Sequence, residues 1–318
     1  MKHSQLKAAR IATARAEIIR YFDHYERCAD VANRLANMPD MEAPMDVETA
    51  KFINEYLADV PTFEGVKIET SFGPFDSFKN ALSTIGRILA YIFRKILELL
   101  KWIFDQHYRA RKEFIDMRTF IMSINSDRFK SQFEHIYCNT IVLRKDVMEL
   151  IMKSVRLTDL IKSTVGVVSV EHIDALLISF RSQAGFDLQL MPDGVNDKFV
   201  DLTMAFAPAN NMTMETAGWT VDALLSALEA QIDLVTKVVD LKQTEKRLRK
   251  EAADIEDQIR VAIDKGQTVE SVKHLQEEAA FRIRKAKIIF NALSVLNKRT
   301  LGISNVLRAL TKEAKRFK

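Results

Sequence analysis

The chain has 318 residues, 47% of them hydrophobic and 28% charged, with a formal net charge of +4. That is enough apolar material for a real core and too much for wholesale disorder. Nine glycines and six prolines are too few for a loop-built or sheet-dominated fold, and two cysteines, Cys28 and Cys138, in no CxxC spacing, exclude a disulfide framework and favour a reducing compartment.

In chain order, residues 1–36 read as an N-terminal helix. Ile11, Ile18, Ile19, Phe22, Tyr25, Val31 and Leu35 recur near helical spacing. Lys2, Lys7, Arg10, Arg15 and Arg20 line it, but no signal-peptide apolar core is present, so secretion through a signal peptide is not expected. Residues 37–74 read as an acidic, proline-marked linker around one short helix. Asp46 is its predicted N-cap and Pro61 lies beyond its end.

Residues 75–184 are predicted to form a helical bundle. Its first part, Pro74 to Ile124, reads as one long helix or two in tandem, capped by Asp76 or Ser77, with Gly86 as the internal weak point. A second helical stretch runs from about 127 to 164 and ends at Gly166. Ser169 then caps a helix through Phe180, with Ile173, Leu176, Leu177 and Phe180 on its apolar face. Residues 185–219 read as a loop or a small β-hairpin around 186–206, where Phe186, Leu188 and Leu190 alternate with polar residues before Pro192-Asp193-Gly194.

Residues 220–318 are predicted to be a long antiparallel αα-hairpin. Thr220 caps a helix with no glycine or proline before Gly266. Leu228, Ile232, Val235 and Val239 form one seam and Leu248, Ala252, Ile255, Ile259 and Ala262 another. Lys242 and Lys246 break the pattern between them. Thr268 caps the returning helix, with Leu275, Ala279, Ile283, Ala286, Phe290 and Leu293, and a separate short helix at about 302–316 closes the chain. The fold class that follows is mainly α: an elongated helical bundle with a long C-terminal αα-hairpin.

Two surfaces stand out as functional candidates. In Phe78–Phe104, an apolar stripe of Phe78, Leu82, Ile85, Leu89, Ile92, Ile96, Leu99 and Ile103 leaves a narrow face holding Arg87, Arg94 and Lys101, with Trp102 beside it. This pattern suits a helix lying on an anionic membrane surface, or a helix docked on a partner or buried in a bundle with one wet edge. The second surface is basic. Arg282, Arg284, Lys285, Lys287, Lys298, Arg299, Arg308, Lys312, Lys315, Arg316 and Lys318 face only Glu313, a net +10. Such a run attracts polyanions, non-specific nucleic acid among them; its other reading is a solvated helix face. The acidic 37–70 segment is a candidate internal partner for it.

Metal and catalytic chemistry find little support. The histidines (3, 24, 107, 135, 172, 274) are scattered; His24 with Cys28, and His135 with Cys138, supply two ligands each, short of a site. Glu277-Glu278 and Asp254-Glu256-Asp257 read as i,i+4 charge partners, and no phosphate loop or nucleophile motif is present. No catalytic residue, metal or cofactor is expected.

The run RILAYIFRKILELLKWIF, at 87–104, resembles the internal head proteins of large tailed phages. The resemblance implies a non-enzymatic virion protein, packed with the genome and other subunits, located in the virion or host cytoplasm. It also implies cleavage after a glutamate two positions beyond a small residue. Ser169-Val170-Glu171 and Ala227-Leu228-Glu229 fit that pattern, but both lie in mid-chain. The rival readings are a membrane-active protein using helix 78–104 and a cytoplasmic coiled-coil adaptor.

Overall fold

A computed structural model describes residues 2–38, 44–60, 73–124, 144–189, 198–201, 220–265 and 269–315. The helices are α1 (Lys2–Ala36), α2 (Val47–Leu57), α3 (Pro74–Met122), α4 (Arg144–Gly166), α5 (Val170–Ala184), α6 (Val221–Asp240), α7 (Glu245–Asp264) and α8 (Val269–Ala314). A 3-10 turn, Leu241–Thr244, joins α6 to α7. Strands β1 (Phe186–Gln189) and β2 (Lys198–Asp201) pair antiparallel, with Phe186 opposite Asp201. The protein is mainly α, as its composition implies.

Local chemistry accounts for several boundaries. Asp46 caps α2 by accepting the Thr49 N–H at 2.8 Å, and hydrogen bonding from the Thr49 side chain and N–H holds its carboxyl below the usual range. Thr220 caps α6 through the Ala223 N–H at 3.1 Å. Ser169 caps α5, which runs past Phe180 to Ala184 and stops at Gly185, whose φ of 64° is the left-handed conformation that ends helices.

Four expectations are corrected. Neither Asp76 nor Ser77 caps α3: the helix begins at Pro74, and the Gly73 carbonyl accepts the Ser77 N–H. Proline suits that first position because its missing N–H has no helical partner there anyway. Nor is the 220–264 helix continuous. In a 3-10 turn, residues three apart share a face, so Leu241 and Thr244 go inside while Lys242 and Lys246 stay exposed. The α6 seam is also corrected at two of its four positions: Leu228 and Val235 are buried as predicted, but Gln231 and Val238 are buried in place of Ile232 and Val239, which are half-buried.

The fourth correction concerns Gly302. It does not begin a new helix, because α8 continues through it to Ala314. A mid-helix glycine costs about 1 kcal/mol, and burying Ile303, Val306, Leu307 and Leu310 beyond it outweighs that severalfold. The expected stretch at 127–143, the cap Thr268 and the 190–197 turn lie outside the described residues.

The chain forms two compact units, neither continuous in sequence. The first takes Met1–Leu99 and Glu245–Lys287; the second takes Leu100–Pro192, Asn196–Thr244 and Ile288–Lys318. Both α3 and α8 therefore contribute to each unit.

In the first unit α1, α3, α7 and α8 close a ring. Tyr21 of α1 stacks on Tyr91 of α3, and Glu17 pairs with Lys95 at 3.0 Å. Arg94 of α3 pairs with Glu256 of α7 at 3.1 Å, and Glu251 of α7 pairs with Lys285 of α8 at 2.6 Å. Lys287 of α8 returns to Glu26 of α1 at 2.7 Å. The short α2 lies on α1, where Arg34 covers the Phe52 ring at 5.4 Å and Arg27 covers Tyr56 and pairs with Asp59.

Gly86 is where α3 meets α7. A Cβ added there stands 3.1 Å from Ile259 Cδ1 and 3.5 Å from Glu256 Cα. The predicted weak point is thus a site of close helix approach. In the second unit α4 packs on α5 and α6. Gln231 of α6 donates to Ser304 of α8 at 3.4 Å, and Arg308 of α8 holds Glu113 of α3 at 2.7 and 2.9 Å.

Gly86→Val is expected to lower stability by about 1–3 kcal/mol, because the branched side chain meets Ile259 and the α7 backbone. Urea denaturation reads this directly; an unchanged midpoint would show that α7 yields to the added atoms.

Candidate functional site

Along Phe78–Phe104 only Arg94 and Lys101 are exposed. The whole predicted stripe is buried, and Ala81, Ile88, Ala90 and Phe93 are buried as well. Arg87 is half-buried, with its guanidinium over Ser83 and Thr84 of its own helix, each at 3.5 Å. Trp102 is half-buried. The cationic edge is the wet rim of a packed helix, on which long side chains reach solvent. Among the described residues no helix is long and apolar enough to cross a membrane.

The basic run does not form one surface. Arg282, Arg284, Lys285 and Arg299 are buried. Arg282 pairs with Glu278 of its own helix, and with Glu251 at 3.4 Å, beside the Lys285–Glu251 pair. Lys287 lies against the Phe22 ring at 5.5 Å while paired to Glu26. Arg299, 2% exposed, donates to the carbonyls of Ala184 and Gly185 at 2.8 and 2.9 Å. It satisfies the end of α5, where the helix dipole favours a cation. Lys298, Lys312 and Lys315 are exposed; Arg316 and Lys318 lie outside the described residues.

The cause is helical spacing, which net charge ignores. A helix enclosed on most sides turns adjacent cations inward, and each then needs a carboxylate or carbonyl, since an unpaired buried charge costs several kcal/mol. The acids that answer are Glu26, Glu113, Glu251 and Glu278. Among the described residues none comes from the acidic 37–70 segment, whose Asp59 and Glu55 pair with Arg27 and Lys51.

His24, His107 and Cys28 lie in the interior. His24 and Cys28 are both buried on α1. Burial pushes the Cys28 thiol up to about 12, which leaves it without nucleophilic thiolate at neutral pH. His107 is buried, its Nδ1 2.7 Å from the Ile103 carbonyl oxygen, and burial lowers its pKa against that hydrogen bond. Among the described residues no three His, Cys, Asp or Glu side chains are placed to hold a metal. The i,i+4 reading holds for Asp254 with Lys250 and for Glu278 with Arg282, whereas Glu256 reaches across to Arg94.

A cation cluster that the charge count passed over lies in the second half of α3. Tyr108, Arg109, Arg111 and Lys112 are exposed within five residues. Arg109 and Lys112 line a cavity of about 430 Å³ that Phe120 of α3 and Lys315, just beyond the end of α8, also line. Lys315 Nζ sits 5.5 Å from the Phe120 ring centroid. The signal was present as the run Tyr-Arg-Ala-Arg-Lys, hidden because Asp105, Glu113 and Asp116 balance it in the linear count.

No protein-family model, curated protein or solved structure matches the chain.

Two outcomes are expected. Arg299→Met leaves two buried carbonyls without their donor and costs about 2–4 kcal/mol in urea denaturation, whereas the exposed neighbour change Lys298→Met stays within about 0.5 kcal/mol. Equal effects would return Arg299 to the surface. Stability is also expected to fall as pH drops below about 6.5. Burial lowers the folded-state pKa of His24 and His107 below that ordinary value, so the unfolded chain takes up protons there first. The loss ends once pH passes the folded-state values. His107→Gln flattens the slope if His107 contributes as stated.

Proposed function

We propose that this chain is a non-enzymatic structural protein of a larger assembly, an internal component of a virion. Its helices contact other protein subunits, and its exposed cations make a sequence-independent contact with a polyanion. One observation carries the structural part: its most deeply buried cations, Lys285 and Arg299, tie one helix to another. Side chains fixed that way support a scaffold and leave no proton or nucleophile to offer a substrate. The phage-head resemblance at 87–104 supplies the virion part of the reading.

A second reading, membrane action through helix 78–104, draws on that helix's composition. It requires the helix to leave the bundle, exposing a stripe that is fully buried from Phe78 to Ile96. That exposure is unfavourable at roughly 1.5–3 kcal/mol for each large side chain. The coiled-coil adaptor reading has only the α7–α8 hairpin in its favour.

Mass spectrometry of purified particles encoded with this gene is expected to find the chain at fixed copy number; its absence from them overturns the virion reading. Flotation with anionic vesicles is expected to leave the folded protein at the bottom of the gradient. Co-flotation that Trp102→Glu abolishes would favour membrane action instead.

A further inference from the structure

The basic C-terminal run points to a polyanion, yet four of its cations, Arg282, Arg284, Lys285 and Arg299, are buried. The cations that stay wet in the second unit are distributed differently. Arg109 and Lys112 stand three residues apart on α3, on one face of the helix. Neither makes an ion pair or hydrogen bond among the described residues. Lys315, just beyond the end of α8, reaches the same cavity and lies against Phe120. Lys312 is exposed one helical turn before it.

Two carboxylates also line this cavity, and they do not cancel the cations. Both oxygens of Glu113 are held by Arg308, at 2.7 and 2.9 Å, and that bond keeps its carboxyl below the usual range. Glu113 is thereby neutralised in place. Asp116 remains, against Arg109, Lys112 and Lys315. The cavity thus carries net positive charge from two helices that the Arg308–Glu113 clamp fixes to one another.

We propose that this cavity, lined by Arg109, Lys112 and Lys315, is the site at which the chain grips the phosphate backbone of nucleic acid. The inference rests on the polyanion contact in the proposed function and moves it from the C-terminal run to α3. Three features favour a nucleic-acid strand over a membrane. The cations surround a concavity, which a protruding phosphodiester enters more readily than a flat headgroup layer. Tyr108, 69% exposed, stands one turn from Lys112 and offers a ring on which a base stacks. The exposed apolar side chains on this stretch, Ile115 and Met122, are too few to anchor a helix in acyl chains. Base sequence has no reader here, so binding is sequence-independent and salt-sensitive.

The test is fluorescence anisotropy of the full chain with a labelled duplex and a labelled single strand, across about 50–200 mM salt. Arg109→Gln with Lys112→Gln is compared with a charge-matched control, Lys242→Gln with Lys298→Gln, whose side chains are exposed in the same unit. All four side chains are exposed, so both variants are expected to keep the wild-type helical signal and melting temperature. The first variant is expected to weaken binding about tenfold or more and to lower the log–log salt slope by about two; the control changes little. Equal losses in both variants overturn the site and leave a diffuse polyanion contact standing. Wild-type protein that binds neither oligonucleotide removes that contact and the site together. If it instead floats with anionic vesicles and the first variant does not, the cavity belongs to a membrane surface and the nucleic-acid assignment fails.

Discussion

A helix as apolar as the first half of α3 cannot stand in water on any side. From Phe78 to Leu99 its surface is buried almost all round, and the only fully exposed side chain is Arg94. That requirement shapes the first unit. Three helices, α1, α7 and α8, surround α3's neighbourhood and complete a ring, and the approach of α7 is close enough that position 86 has no room for a Cβ without displacing Ile259. The hydrophobic gain from enclosing ten large apolar side chains between Phe78 and Leu99 is far larger than any single ion pair on the rim.

Enclosure has an electrostatic consequence. Helices with apolar residues on most faces turn some of their cations inward, and those cations must be answered. In the first unit Glu251 takes both Arg282 and Lys285, and Glu26 takes Lys287. In the second unit Arg299 is answered by two carbonyls, which also removes an unsatisfied helix end. These contacts select a register: sliding α8 by one turn separates the charges from their partners, and a buried charge without a partner is strongly unfavourable. The chain's largest charge asymmetry is therefore in part a record of which helix faces are interior.

Much of the fold was legible from local signals. The caps at Asp46, Ser169 and Thr220 follow from a short polar side chain that accepts an N–H two or three residues on, and each is observed. The β1–β2 pairing falls within the predicted hairpin region. Legibility ended where a long-range contact outvoted a local preference. Gly302 is a local breaker overruled by four buried side chains beyond it. The seam fault at Lys242 was visible in the pattern, but its resolution into a 3-10 turn depends on what Leu241 and Thr244 bury against. The Arg109–Lys112 cluster was missed because a linear charge count averages over both faces of a helix.

The sequence by itself determined the helical class, the helix starts at Asp46, Ser169 and Thr220 and the apolar identity of the Phe78–Phe104 segment, since these depend on period, capping chemistry and side-chain volume within a few turns. Only the tertiary structure decided which cations are interior and which are free to meet a ligand. That choice depends on where carboxylates and carbonyls from distant parts of the chain arrive: Glu113 at Arg308, Ala184 and Gly185 at Arg299, Glu26 at Lys287. Separations of 114 to 261 residues leave no trace in spacing or composition, and the Coulomb energy that fixes each pair exists only once the chain has brought them within a few ångströms.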